Sequence, residues 1–196
     1  AVKLAKGGFT DTTTAVNTLT SVLNAYHMKA SEANTISDQL IKTQDLGKTT
    51  VGELGQSLGQ VIPIAASLNV KTQDLFSAIA TLTKNGMPAS EAIVAVRAAL
   101  SGVLKPSKDA GKAAKDLGLN FSAAHLQNVG FAKFIDEIAK ATGGNAQKMS
   151  SLFKNVRALN GMTVLAGKGN DDFNQTLKNM SGATGATNDA FEKMES

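Results

Sequence analysis

Apolar residues recur along this chain three and four positions apart, and no run of strict alternation survives to mark a half-buried strand. Thr10-Asp11 caps a first amphipathic helix, with Ala15, Val16, Leu19, Val22, Leu23 and Tyr26 on one side. Ser31 opens a second, with Ile36, Leu40 and Ile41 inward and Gly47 at its close. Thr50 and Glu53 stand at capping-box spacing ahead of Leu54, Leu58, Val61, Ile62, Ala65 and Leu68, with Asn69 as the stop. Pro63 lies inside that run, and its missing N–H and bulky ring predict a kink or a break nearby. Thr72 caps the next helix, which carries Leu75, Phe76, Ile79 and Leu82.

The stretch "LTKNGMPASEAIVAVRAALSGVL", residues 82–104, reads as two helices and their joint. Asn85-Gly86 suits the left-handed backbone that closes a helix, and Pro88 fits the first turn of the next. Ala92, Ile93, Val96, Leu100, Val103 and Leu104 then share a face. The expectation is an antiparallel hairpin over residues 72–104, with Leu75, Ile79 and Leu82 facing Ile93, Val96 and Leu100. Pro106 stops it, and Lys108 to Leu117 makes a short helix ended by Gly118. "LNFSAAHLQNVG", residues 119–130, is the least regular stretch and reads as a loop with a brief extended part.

Helical spacing returns with Phe131, Phe134, Ile135 and Ile138, closed at Gly143-Gly144, and Asn145 starts another helix. "LFKNVRALNGMTVLAG" presents Leu152, Phe153, Val156, Leu159 and Val164 or Leu165. Asp171-Asp172 sit where acids favour a helix N-terminus, ahead of Phe173, Leu177 and Met180. "SGATGATND" reads as a flexible joint before a last short helix from Ala190. The fold class is all-α: a multi-helix bundle of short antiparallel helical hairpins. Residues 1–120 form its helical bundle core region, and 121–196 a continuing helical segment of the same region. Heptads do not persist long enough for a coiled coil. Gly52, Gly55 and Gly59 fall in one sector of a single helix, where each costs roughly 0.5–1 kcal/mol relative to Ala. Close approach of a second backbone is the simplest reason; a membrane-type dimer face is interrupted by Glu53, Gln56 and Gln60.

The chain's 196 residues are enough for one domain with a real core or two small ones. Aromatics make up only 5%, with no Trp and one Tyr, so aliphatic side chains and Ala must fill the interior between closely spaced helices. There is no cysteine, which excludes disulfides, thiolate nucleophiles and Cys-built zinc sites. No stretch approaches the roughly 20 apolar residues that span a bilayer, and the opening segment lacks the pattern of a signal peptide. The sequence reads as a fragment of a longer protein.

Charge is modest overall, +4, but unevenly placed. Lys140, Lys148, Lys154, Arg157 and Lys168 stand in a stretch without an acid, and from Asp171 onward acids outnumber bases. Arg97, Lys105, Lys108, Lys112 and Lys115 face one acid, Asp109. These stretches are either solvated faces or a weak phosphate-attracting stripe. No aromatic is interleaved with them, which disfavours a single-strand stacking platform, and no helix has the side-chain density of a groove reader.

Catalytic chemistry is mostly lacking. His27 and His125 are far apart and in no metal-binding or triad spacing. Asp136-Glu137 and Asp171-Asp172 are helix neighbours about 100° apart, unsuited to an acid/base dyad. "GKGND" and "ATGGNA" match no phosphate-binding loop. The expectation is a non-enzyme with no catalytic, cofactor-binding or metal residues and no cofactor.

An ordered series of segments does carry a resemblance. "LGQVIPIAASLNVKTQDLFSAIATLTKNGMPASEAIVAVRAALSGVLKPSKDAGKAAKDLGLNF", then "FIDEIAKA", "LFKNVRALNGMTVLAG", "DDFNQTLKNM" and "SGATGATNDAFEKM", resembles the core region of phage tail tape measure proteins, from "NTLTSVLNAY" to the last residue. The family often has Gly-Thr where this chain has "AIVAVRAAL", which leaves local packing there open. The resemblance implies a structural virion protein of a tailed phage or prophage, involved in tail assembly, tail length determination and genome ejection. It implies the tail tube lumen as its place, after the host bacterial cytoplasm during assembly. The implied partners are the tail tube, tail-tip and tail-assembly chaperone proteins and further copies of itself, with weak DNA or membrane contact during ejection. The competing reading is a membrane-active helical module that inserts into the host envelope during DNA delivery.

Overall fold

Side-chain caps set six of the fourteen helix starts in the computed structural model, which describes residues 1–196. Fourteen α-helices follow one another with no strand: α1 (Val2–Gly7), α2 (Thr12–Ala25), α3 (Ala33–Leu46), α4 (Val51–Ser57), α5 (Ile62–Ser67), α6 (Thr72–Lys84) and α7 (Ala89–Leu104). Then come α8 (Lys108–Asp116), α9 (Ala123–Val129), α10 (Phe131–Thr142), α11 (Ala146–Leu152), α12 (Val156–Thr163), α13 (Asn170–Met180) and α14 (Ala186–Glu195). Asp11 accepts from the Thr14 N–H at 2.8 Å at the head of α2. Thr50 and Glu53 make the reciprocal capping box of α4, at 3.1 and 2.9 Å. Ser107, Ser122, Asn145 and Asn155 cap α8, α9, α11 and α12 by accepting from first-turn backbone N–H groups, without a reciprocal partner. At the other ends Asn69, Gly86, Gly118 and Gly143 take positive φ and turn the chain back.

The bundle is organised around α6, whose residues from Leu75 to Thr83 are buried without a break. A helix apolar or small on all sides has no solvent face to offer, so other helices must cover it on every side. α3, α7, α10 and α13 do so. Two of its buried hydroxyls return to the helix itself, Thr81 donating to the Ser77 carbonyl at 2.8 Å and Thr83 to that of Ala80 at 3.0 Å, while the Ser77 hydroxyl has no partner. One continuous apolar core runs from Leu4 to Ala183. Its only ring cluster joins Phe121 to Phe134 and Phe153, at centroid distances of 5.9 and 5.4 Å.

α6 and α7 touch around their joint, but each has a more extensive partner, α13 and α3 for α6 and α12 for α7. The α7–α12 crossing depends on Gly161 in α12. A Cβ there would lie 2.9 Å from the Ala95 Cβ, closer than two carbons approach without something shifting.

Several local expectations are corrected. The break near Pro63 falls ahead of it: α4 ends at Ser57, a 3₁₀ turn spans Leu58–Gln60, and Pro63 sits in the first turn of α5. The predicted single helix of glycines is therefore two elements. Gly52 and Gly55 are crowded by Phe9, Thr10, Thr14 and Thr18, whereas Gly59, in the turn, meets nothing. Residues 119–130 are a loop with a brief extended part only as far as Ser122, which caps the helix α9 in the remainder. Ser31 lies inside a 3₁₀ turn, and Thr72 follows a cap position held by Lys71. Asn155 interrupts the run from Leu152 and starts α12 afresh. The joint before the last helix is shorter than expected, because α14 begins at Ala186. Val16, Leu104 and Val156, read as inward, are exposed by 43%, 52% and 67%.

Candidate functional site

The two basic stretches, remote in sequence, meet because α12 crosses α7 and α11 packs on α8. Along the outer face of α7 this leaves a groove of two adjoining cavities, about 510 and 750 Å³. α7 is its floor, the turn at Gln60 with α5 one wall and α12 the other. Both cavities are lined by Arg97 of α7 and Arg157 of α12. These are the only arginines among the chain's 20 basic residues. Neither has a carboxylate within ion-pair distance: the ion pairs of the structure are Lys6–Glu195, Lys84–Asp172 and His125–Glu137. Lys105 lies at one end of the groove and Glu91 at the other. Val94, Ala98, Gly102 and the exposed Leu104 give the floor an apolar, small-residue strip, set among Ser90, Ser101 and the charged side chains.

A second assembly joins the two ends of the chain. α1 packs on α14, where Lys3 donates to Asn188 at 2.8 Å, Lys6 pairs with Glu195, and both lysines stand over the Phe191 ring. Asp38 of α3 accepts from the backbone N–H groups of Gly185 and Thr187, each at 2.9 Å, and so caps α14 from a distance.

Of the titratable residues singled out in the sequence, His125, Asp136, Glu137 and Asp172 hold helices together. His125 meets Glu137 at 2.6 Å across the α9–α10 joint, while the neighbouring Asp136 turns to Asn170 and Asn174. Asp172 takes Lys84 at 2.6 Å and Asn85 at 3.1 Å, and Asp171 is exposed beside it. His27 is an exposed turn residue at positive φ. No three His, Asp or Glu side chains converge as a metal site would require. Lys108, Lys112 and Lys115 are exposed on α8. No helix is long and apolar enough to cross a membrane.

Asp74, which periodicity did not single out, is buried at the start of α6. Burial pushes its carboxyl above the usual carboxylate range, opposed by the Ala132 N–H at 3.4 Å and by the charge of Lys71. The Tyr26 hydroxyl, buried without a hydrogen-bond partner, is pushed up by burial and by Asp74.

The fold and its surfaces define a helical packing module with one open basic groove. The chain belongs to the phage-related minor tail protein family, whose model matches residues 1–156. Membership makes it a phage tail component. It is 30% identical to a protein named probable tape measure protein of Clostridium phage phiCD119, over 98% of this chain and 21% of that relative. It is 22% identical to a protein named tape measure protein of Pneumococcus phage Dp-1, over 90% of this chain and 16% of that relative. The chain thus spans about a fifth of the length of the curated relatives it matches. No solved structure matches it.

Proposed function

We propose that this chain is a compact module of a tape measure protein, serving tail assembly, length determination and genome ejection as a structural, non-enzymatic part. Residues 1–120 and 121–196 act in it as one body. Its place is the tail tube lumen, its partners the tube, tail-tip and assembly-chaperone proteins, and it is made in the host cytoplasm. The observation that carries the reading is the packing of α1 against α14. A continuous helix of 196 residues would extend about 290 Å. A folded body of that size has a radius of gyration of about 16 Å, and with its ends side by side it adds almost no length between them. The module therefore belongs to the measuring protein without being its main measuring segment.

The test uses the absence of cysteine from these 196 residues. Lys3→Cys and Asn188→Cys, introduced together, should be bridged within one chain by a short bismaleimide, both in the purified protein and in assembled tails. Bridging in the purified protein but not in tails would show that the chain is extended in the virion and would overturn the reading. So would an in-frame deletion within residues 51–104 that shortens tails by close to 1.5 Å for each residue removed.

A further inference from the structure

We propose that the groove along α7 docks an acidic amphipathic helix of a partner protein. Three features meet there. The floor carries an apolar, small-residue strip among polar side chains, with Val94, Ala98 and Gly102 leaving room for a second backbone, Leu104 held 52% exposed at its edge, and Ser90 and Ser101 beside them. Arg97 and Arg157 stand where the two cavities join, and neither guanidinium is used by the fold. The length also fits, since α7 has 16 residues and offers about 24 Å, or four to five helical turns.

An arginine fork matches a carboxylate in two parallel hydrogen bonds, which a lysine cannot do. An apolar floor flanked by such forks suits a helix whose Leu-type residues go down and whose Glu or Asp residues lie at the sides. A nucleic-acid backbone fits less well. Phosphates gain nothing from Val94, Ala98 and Leu104, the lining has no ring for a base to stack on, and Glu91 repels at one end.

The probe is a labelled helical peptide of roughly sixteen residues with Leu at i, i+3, i+4 and i+7 and Glu on both flanks, compared with a twin bearing Lys in place of Glu. Fluorescence anisotropy at low salt should give micromolar binding for the Glu peptide and none for its twin. Arg97→Gln and Arg157→Gln are exposed changes that leave folding intact, and each should weaken binding roughly tenfold. Ser101→Trp, which fills the groove from an exposed position without altering charge, should do the same. Lys29→Gln and Lys178→Gln, outside the groove, should change nothing. Equal binding of the two peptides, or full binding by Ser101→Trp, would reduce the effect to surface charge and overturn the proposal. Duplex DNA that binds more tightly than the Glu peptide and needs both arginines would assign the groove to phosphate instead. A self-associated chain dispersed by Arg97→Gln would make a second copy the occupant, against the proposal.

Discussion

The crossing of α7 and α12 lends itself to a double-mutant cycle on Gly161 and Ala95. In Gly161→Ala the new methyl would sit 2.9 Å from the Ala95 Cβ. Gly→Ala in a helix is worth about 0.5–1 kcal/mol, while forcing a methyl into a packed crossing costs about 1–3 kcal/mol. The single variant should therefore lose about 1 kcal/mol. Ala95→Gly removes a methyl from a residue only 2% exposed, at about 0.8 kcal/mol, and adds a similar loss of helix propensity. It should lose about 1.5–2 kcal/mol. In the double variant the methyl has only changed helix, the propensity terms cancel and the clash is gone. It should recover to within about 0.5 kcal/mol of the parent, a coupling of roughly 2 kcal/mol. Urea denaturation monitored by far-ultraviolet circular dichroism measures all four corners. For a chain of this size each kcal/mol is about 2–4 °C in Tm, so thermal melts give an independent reading. Losses that simply add, to within about 0.5 kcal/mol, would show that the two backbones do not meet as described.

Three further outcomes are expected. Because the folded pKa of Asp74 is raised above its ordinary 3.8, its contribution to stability is full below that value and lost as pH rises through the folded pKa. Asp74→Asn should thus exceed the parent in stability at neutral pH, with the gap closing as pH falls toward about 3.5; a constant gap in urea midpoints would refute the assignment. Thr50→Ala should cost about 1 kcal/mol through loss of the α4 cap, and Thr50→Gly only a few tenths, both read from denaturant midpoints. Val96→Asp places an unpaired charge at a position 1% exposed and should cost about 4 kcal/mol or more, so a melting curve like the parent's would mean that this face of α7 is open.

Helix existence was legible wherever a cap or a Gly–Pro joint precedes at least two buried apolar residues at helical spacing, as at Asp11, Thr50, Asn145 and the Asn85–Pro88 joint. It was not legible at α9, where two turns offer a single fully buried apolar residue, Leu126, and the evidence is one serine cap. Periodicity also defines a stripe without saying how wide a neighbour will cover it, which is why Val16, Leu104 and Val156 were read inward. The sequence showed the crowding at Gly52 and Gly55 but had no means of showing that Gly59 falls in a turn. Most distant from sequence reasoning is the groove. Arg97 and Arg157 belong to separate basic stretches, and only the α7–α12 crossing, made by a glycine and an alanine, brings them together. The functional class was reached through an ordered series of segments and through no single residue, since structural helices carry no chemistry for a motif to mark.

The adjacency of α1 and α14 has a mechanical meaning. Tension applied through the two ends of this body would not shear long helices along one another, which requires many contacts to fail together. It would open the molecule at a seam closed by Lys3–Asn188, Lys6–Glu195 and the two amides held by Asp38, and then peel helices inward one at a time. Loads taken up sequentially meet low peak resistance, and no covalent crosslink stands in the way, because the chain has no cysteine. A body packed on every side of α6 would thus yield to a modest pull applied at its two ends.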